Sequence, residues 1–215
     1  VYQFNAKDCE NVIIKFLIDS KNIKTLSYLD IGVNSPDIHN NTYLFYKNVS
    51  SVICIEDNKE IIKKIQEIKP GDKTINVGVG VTSETEADFY VFSDSGLNTF
   101  NKEEAEFRQS HGINKILQVD KVKLISINEI ITQNFSDYPD LLSIDIEGLD
   151  LEVLKTLDMQ TFPIPVICVE TCTYSENNIK PKDNKILEFM LSKDYEVYGD
   201  TYINTIFVNK NWFYS

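Results

Sequence analysis

The chain has 215 residues, 42% of them hydrophobic and 25% charged, which is enough for one core of ordinary size and excludes a disordered or fibrous polymer. A formal net charge of −12 excludes a surface built to track phosphates, because non-specific nucleic-acid affinity rests on clustered Lys and Arg. No run approaches the ~18 apolar residues of a membrane span, and the opening VYQFNAKDCE lacks the apolar stretch of a signal peptide. A cytoplasmic protein with no membrane insertion is expected, and a homo-oligomer is compatible with this composition. The chain does not begin with Met, which leaves room for an upstream segment. Cys9, Cys54, Cys168 and Cys172 read as reduced thiols: Cys54 and Cys168 fall in apolar strand patterns, and the CxxxC spacing has no second pair for zinc.

In chain order, CENVIIKFLIDSKNI predicts an amphipathic helix with Val12, Ile13, Phe16 and Leu17 toward the core. TLSYLDIG gives a first strand, and NNTYLFYKN a short helix with Tyr43, Leu44 and Tyr46 available for burial. SVICIED is a continuous apolar run, as in a strand covered on both faces. NKEIIKKIQEIK places Ile61, Ile62, Ile65 and Ile68 on one stripe and stops at Pro70 and Gly71. KTINVGVG is a third strand.

The alternation then breaks. TEADFYVF has the period of an antiparallel strand and leads into SDSGLNTF and a helical KEEAEFRQSHG. Residues 82–123 therefore read as an inserted hairpin and loop segment on the acceptor face of one domain spanning 1–215, whose N-terminal helix lies within 1–25. ILQVDKVKLIS adds a strand, INEIITQNF a helix, DLLSIDIEG a fourth core strand, DLEVLKTLDM a helix and FPIPVICVET a fifth strand. The tail carries a helix, NKILEFMLSKD, and a hairpin formed by YEVYG and NTIFVNK. Strands alternating with helices of these lengths specify an α/β fold with a mostly parallel, doubly wound sheet and helices on both faces. Such sheets bind ligands beyond the carboxyl ends of their strands.

Polar residues gather there. Asp30, Gly32 and Asn34 follow the first strand, Glu56 and Asp57 the second, Asn76, Gly78 and Gly80 the third, Asp145 and Glu147 the fourth, Glu170 and Thr171 the fifth. Taken singly, each could be a helix cap; taken together they point to a ligand. A dinucleotide needs G-x-G-x-x-G opening into a helix that holds its pyrophosphate. Here only Gly32 stands, and Asp37 would repel phosphate. Glu56 lies 26 positions after Asp30 (56 − 30), where an acid accepts from two ribose hydroxyls. A ribose without a pyrophosphate fits S-adenosylmethionine.

The blocks YLDIGVNSPDIHNNTYLFYKN, ICIEDN, NVGVG, GLNTF, LLSIDIEGLDLEVLKTLDM and VICVET resemble the FkbM-type S-adenosylmethionine-dependent methyltransferases, from about Tyr28 to Thr171. The resemblance implies a Rossmann-like class I methyltransferase fold and O-methylation of a hydroxyl on a sugar, glycan or small molecule. Lys-, Asn- and Ile-heavy usage suits an AT-rich bacterial genome, and the resemblance then points to surface polysaccharide biosynthesis. By position it implies Asp30, Gly32 and Asn34 along the methionine part, Glu56 on the ribose, Asp57, Asn76 and Val77 beside the adenine, and Asp145 facing the methyl group. Asn34 stands where a second glycine is usual; Asn tolerates left-handed geometry.

A hydroxyl acceptor needs a base, for which the candidates are His39, His111 and Asp145, with Glu147 a further carboxylate. His111 also suits the C-terminus of its own helix. Asn41, Thr42, Tyr43, Asn98, Thr99, Glu147 and Glu170 would contact the acceptor. No resident metal is expected, although Asp145 with Glu170 offers hard oxygen ligands for a divalent ion. The alternative is a non-catalytic nucleotide- or glycan-binding Rossmann-like module; an NAD oxidoreductase is disfavoured by the single glycine.

Overall fold

A computed structural model describes residues 9–33, 35–37, 40–46, 49–94, 97–111, 114–146, 148–172 and 182–215. Two sheets organise them. The larger takes β1 (Leu26–Ile31), β2 (Val49–Ile55), β3 (Lys73–Ile75), β7 (Leu141–Ile144), β8 (Val166–Glu170), β9 (Tyr195–Asp200) and β10 (Asn204–Asn209) in the order β3-β2-β1-β7-β8-β10-β9. The smaller orders β4 (Gly78–Gly80), β6 (Ile116–Ser126) and β5 (Glu86–Phe92) as β4-β6-β5. In the large sheet β10 runs antiparallel to both β8 and β9, and the other pairings are parallel.

Period-2 alternation sorts the strand side chains into two apolar layers. Leu29, Ile31, Ile53, Ile55, Leu142, Ile144, Ile167, Val169 and Phe207 join a core with α4 (Ile127–Asn134), α5 (Asp150–Thr156) and α6 (Asn184–Leu191). Tyr28, Val52, Cys54, Leu141, Val166, Cys168 and Ile206 face α1 (Glu10–Ser20) and α2 (Lys59–Ile68). Both faces are thus covered, which is why these strands read as near-continuous apolar runs. Local chemistry fixes the helix starts: Asn58 accepts from the Glu60 N–H at 2.9 Å and Ser126 from the Glu129 N–H at 3.2 Å.

Three local expectations are corrected. The sheet-facing stripe of α1 is Ile14, Leu17 and Ile18, while Val12 and Phe16 are exposed; a stripe centred between Leu17 and Ile18 leaves Phe16 about 150° around the axis, on the far side. NNTYLFYKN is not a helix in its described part: residues 41–46 are turns, because Asn40 and Thr42 spend their side chains on Asp30 instead of leaving the backbone to propagate. The third strand divides after Ile75, and β4 leaves the large sheet to pair with β6. The inserted segment contributes β5, α3 (Lys102–His111) and most of β6, closed by antiparallel β5–β6 pairing.

From β1 the chain winds outward through β2 to β3, then returns to the other side of β1 for β7 and β8. The order therefore reverses between β1 and β7, and the crevice at their carboxyl ends is where a ligand belongs.

Candidate functional site at the carboxyl edge of the sheet

Gly32 opens the crevice. Its φ is +82°, and a Cβ there would overlap the carbonyl oxygen of Asp145. Only glycine lets the backbones leaving β1 and β7 pass this closely. The Asp145 N–H donates to Ile31 O (3.0 Å), tying β7 to β1, and the Gly32 N–H donates to Ile55 O (3.1 Å), tying β1 to β2. Beside them lies a cleft with about 310 Å³ of empty space, open mouth included, lined by Ile31, Gly32, Glu56, Val77, Phe100 and Leu149 among others.

Glu56 ends β2 on this cleft, buried, with Oε1 accepting from the Asn58 N–H at 2.9 Å. Burial, then the neighbouring Glu56 carboxylate, holds the Asp57 carboxyl well above the usual carboxylate range. Asn76 does not present its side chain to the cleft. Its Nδ2 donates to the carbonyls of Glu56 (3.0 Å) and Asp57 (2.8 Å), fastening the two turns together. Val77 lines the wall.

Beneath the first turn is a buried polar network. Asp30 accepts from Thr42 Oγ1 at 2.6 Å and Asn40 Nδ2 at 3.3 Å. Lys69, fully buried, donates to Asn40 Oδ1 (3.0 Å) and Thr42 Oγ1 (3.1 Å) and stands 4.0 Å from Asp72. Tyr28 donates its hydroxyl to Asp72 at 2.8 Å. Asp30 thus holds the loop that follows β1, and Thr42 is consumed in doing so.

On the other side of Gly32, Asp150 accepts the N–H groups of Ile146 (3.2 Å) and Gly148 (3.1 Å), shaping the turn after β7. Burial first, and Asp145 second, push its pKa up to about 7 against the pull of those N–H bonds.

His111, Asn98 and Thr99 do not line the cleft. His111 is exposed at the end of α3, its ring 4.4 Å from Phe107 and its Nδ1 3.1 Å from Phe107 O. Asn98 accepts from the Phe92 N–H at 2.9 Å, and Thr99 bridges to Tyr90, so both close the insertion on itself. Asn41 is buried, and Tyr43 stacks on Tyr46 with centroids 5.2 Å apart. Asp145 and Glu170 end the adjacent strands β7 and β8. Among the described residues no three His, Cys, Asp or Glu side chains converge as a metal-ligand set. Asn34, His39 and Glu147 lie outside the described residues.

Sequence reasoning missed Lys69, Asp150 and Phe100. Phe100 stands directly after the GLNT stretch, and its ring occupies the space a side chain on Gly78 would need, 2.6 Å from an added Cβ. A lone Lys between a helix and Pro-Gly carries no signal that it is buried.

The model of the family described as Methyltransferase FkbM domain matches residues 30–197. The chain belongs to that family. Among solved structures, the FkbM methyltransferase of Methylobacillus flagellatus KT superposes with a TM-score of 0.50 at 13% identity, over 86% of this chain and 44% of that one. This FkbM domain therefore spans less than half of the Methylobacillus protein, with which it shares the fold. TehB of Haemophilus influenzae gives a TM-score of 0.45 at 12% identity, over 91% of this chain and 62% of its own. The O-methyltransferase of Bacillus cereus in complex with SAH gives 0.44 at 12%, over 96% and 82%. No curated protein matches significantly. With the topology above, the FkbM domain has the Rossmann-like class I methyltransferase fold. None of its described helices is long and apolar enough to cross a membrane.

Proposed function

We propose that the chain is an S-adenosylmethionine-dependent O-methyltransferase acting on a hydroxyl of a sugar, glycan or small molecule, in the cytoplasm and in the service of bacterial surface polysaccharide biosynthesis. The observation that carries the cofactor reading is the pairing of Glu56 at the end of β2 with Gly32 pressed against the Asp145 backbone. That pairing offers a ribose acceptor and a close backbone approach. Among the described residues no helix begins between β1 and β2, so nothing there aims a helix N-terminus at a diphosphate. The acids Glu56 and Asp145 at this edge favour a cationic sulfur over phosphate.

Bound S-adenosylmethionine supplies a methyl group on a sulfonium, open to in-line displacement by a hydroxyl oxygen. The chain's own residues would do the rest. Glu56 accepts the ribose hydroxyls, with Asn76 fixing the turn that carries it. Ile31, Ile55, Val77, Phe100, Ile146 and Leu149 exclude water around the base. Asp57 retains a proton more readily than a free carboxyl, so it can donate on the adenine side. Asp145, whose backbone meets Gly32, would accept the proton of the acceptor hydroxyl and so raise its nucleophilicity.

Isothermal titration with S-adenosylhomocysteine tests the reading. The wild type should bind, and Glu56→Ala should lose about 1.5–3 kcal/mol, the worth of hydrogen bonds to a charged group. A wild type that does not bind ends the proposal, and unchanged affinity in the variant moves the ribose away from Glu56. Formation of S-adenosylhomocysteine from the methyl donor with a sugar present separates an enzyme from a binding module.

A further inference from the structure

We infer that Asn11, Asn204 and Glu10 form an acceptor subsite, one that recognises a neutral polyhydroxyl group; this rests on the methyltransferase reading above. The strand registers place it. Ile31 pairs with Ile144, Ile144 with Val169, and Glu170 with Asn204. The carboxyl edge therefore runs Gly32, Asp145, Glu170, Asn204, with Asn204 about 10 Å from Asp145, two strand spacings away. A sugar whose reacting hydroxyl sits at Asp145 would extend along this edge toward Asn204.

The N-terminus of α1 arrives at the same place. Glu10 Oε1 accepts from Asn204 Nδ2 (2.8 Å) and from the Thr201 hydroxyl (2.8 Å). Asn11 is next, on the sheet-facing stripe one turn before Ile14. It is fully buried, and neither its Nδ2 nor its Oδ1 has a hydrogen-bond partner; Asn204 Oδ1, also buried, has none either.

A fold does not keep an unmet amide in its interior for stability, since desolvating it without a partner is costly. Two asparagines doing so at the proposed reaction edge are waiting for a ligand. Their chemistry selects it. A hydroxyl both donates and accepts, so it can satisfy Asn Oδ1 and Nδ2 together. An ammonium has no acceptor for Asn11 Nδ2. A carboxylate or phosphate has no donor for the two Oδ1 atoms and meets the negative charge of Glu10 and Glu170. The α1 N-cap is Cys9 at φ 70°, a left-handed conformation that side chains rarely adopt, and it makes no side-chain capping bond. Admitting the acceptor would require the first turn of α1 to move against the two Glu10 hydrogen bonds.

Two measurements test this. Asn11→Leu, near in size and without polar atoms, should raise the melting temperature by about 2–4 °C; a fall would make the amide a structural group and overturn the inference. Saturation-transfer NMR in the presence of S-adenosylhomocysteine would then use methyl α-D-glucopyranoside, methyl α-D-mannopyranoside and methyl α-L-rhamnopyranoside beside glucuronate and glucosamine. At least one neutral glycoside should bind the wild type and lose tenfold or more in Asn11→Leu and Asn204→Leu, with both variants keeping wild-type affinity for S-adenosylhomocysteine. Equal binding of the charged sugars, retained glycoside binding in both variants, or no glycoside binding to a wild type that holds S-adenosylhomocysteine would overturn it. A wild type that fails to bind S-adenosylhomocysteine instead defeats the methyltransferase reading, and the melting shift still judges Asn11.

Discussion

Lys69→Met should be among the most damaging single substitutions in this chain. The ammonium is fully buried, donates at 3.0 and 3.1 Å to Asn40 and Thr42, and stands 4.0 Å from an equally buried Asp72 whose Oδ1 has no hydrogen-bond partner. Removing the cation leaves the Asp72 and Asp30 carboxylates in the interior without it, a change that costs about 3–5 kcal/mol where buried pairs are broken from one side. For a chain of this size each kcal/mol moves the melting temperature by about 2–4 °C, so the fall should be roughly 6–20 °C. Asp72 already has a raised pKa, chiefly from burial, so adding Asp72→Asn to the variant should restore much of the loss. Urea denaturation of the wild type, both single variants and the double variant closes the cycle. Affinity for S-adenosylhomocysteine should also fall in Lys69→Met, because Asn40 and Thr42 carry the loop beyond β1. A loss below about 1 kcal/mol, the scale of an exposed ion pair, would refute the idea that Lys69 holds this network together.

Gly32→Ala forces both a left-handed φ and an overlap with backbone, and should cost on the order of 3 kcal/mol or more, read as a fall in the urea midpoint; a variant of wild-type stability would mean that the β1–β7 approach is slack. Asp150 has a folded pKa of about 7 against an ordinary 3.8, so its contribution to stability is fully present below the lower value and lost as pH rises through the upper one. Over that window it should amount to roughly 4 kcal/mol, with Asp72 adding in the same direction, and the slope should flatten in Asp150→Asn; urea midpoints from pH 4 to pH 8 check this. His111→Ala, which removes an exposed ring bonded to its own helix, should leave the methyl-transfer rate within about twofold at saturating donor; a tenfold fall in kcat would bring it into the reaction.

Much of the site was legible without coordinates because it is written in local pattern. An apolar run covered on both faces, then an acid or a glycine, marks the end of a buried parallel strand, and Gly32, Glu56, Asp57 and Val77 all come together at the cleft. Local pattern misled where side chains compete with the backbone, as when Asn40 and Thr42 bond Asp30 and leave turns where periodicity suggested a helix.

The sequence by itself determined the alternation of strands and helices, the two-faced burial of the sheet and the acids at its carboxyl edge, since each is set by the period of side chains along one segment. Only the tertiary structure decided which of those polar groups meet. Lys69 reaches Asn40 across 29 positions and Asn204 reaches Glu10 across 194, and no local propensity encodes such a pairing. It arises when the winding of the chain carries distant segments to the same end of one sheet, where burial obliges each polar atom to find a partner or to keep a place for one.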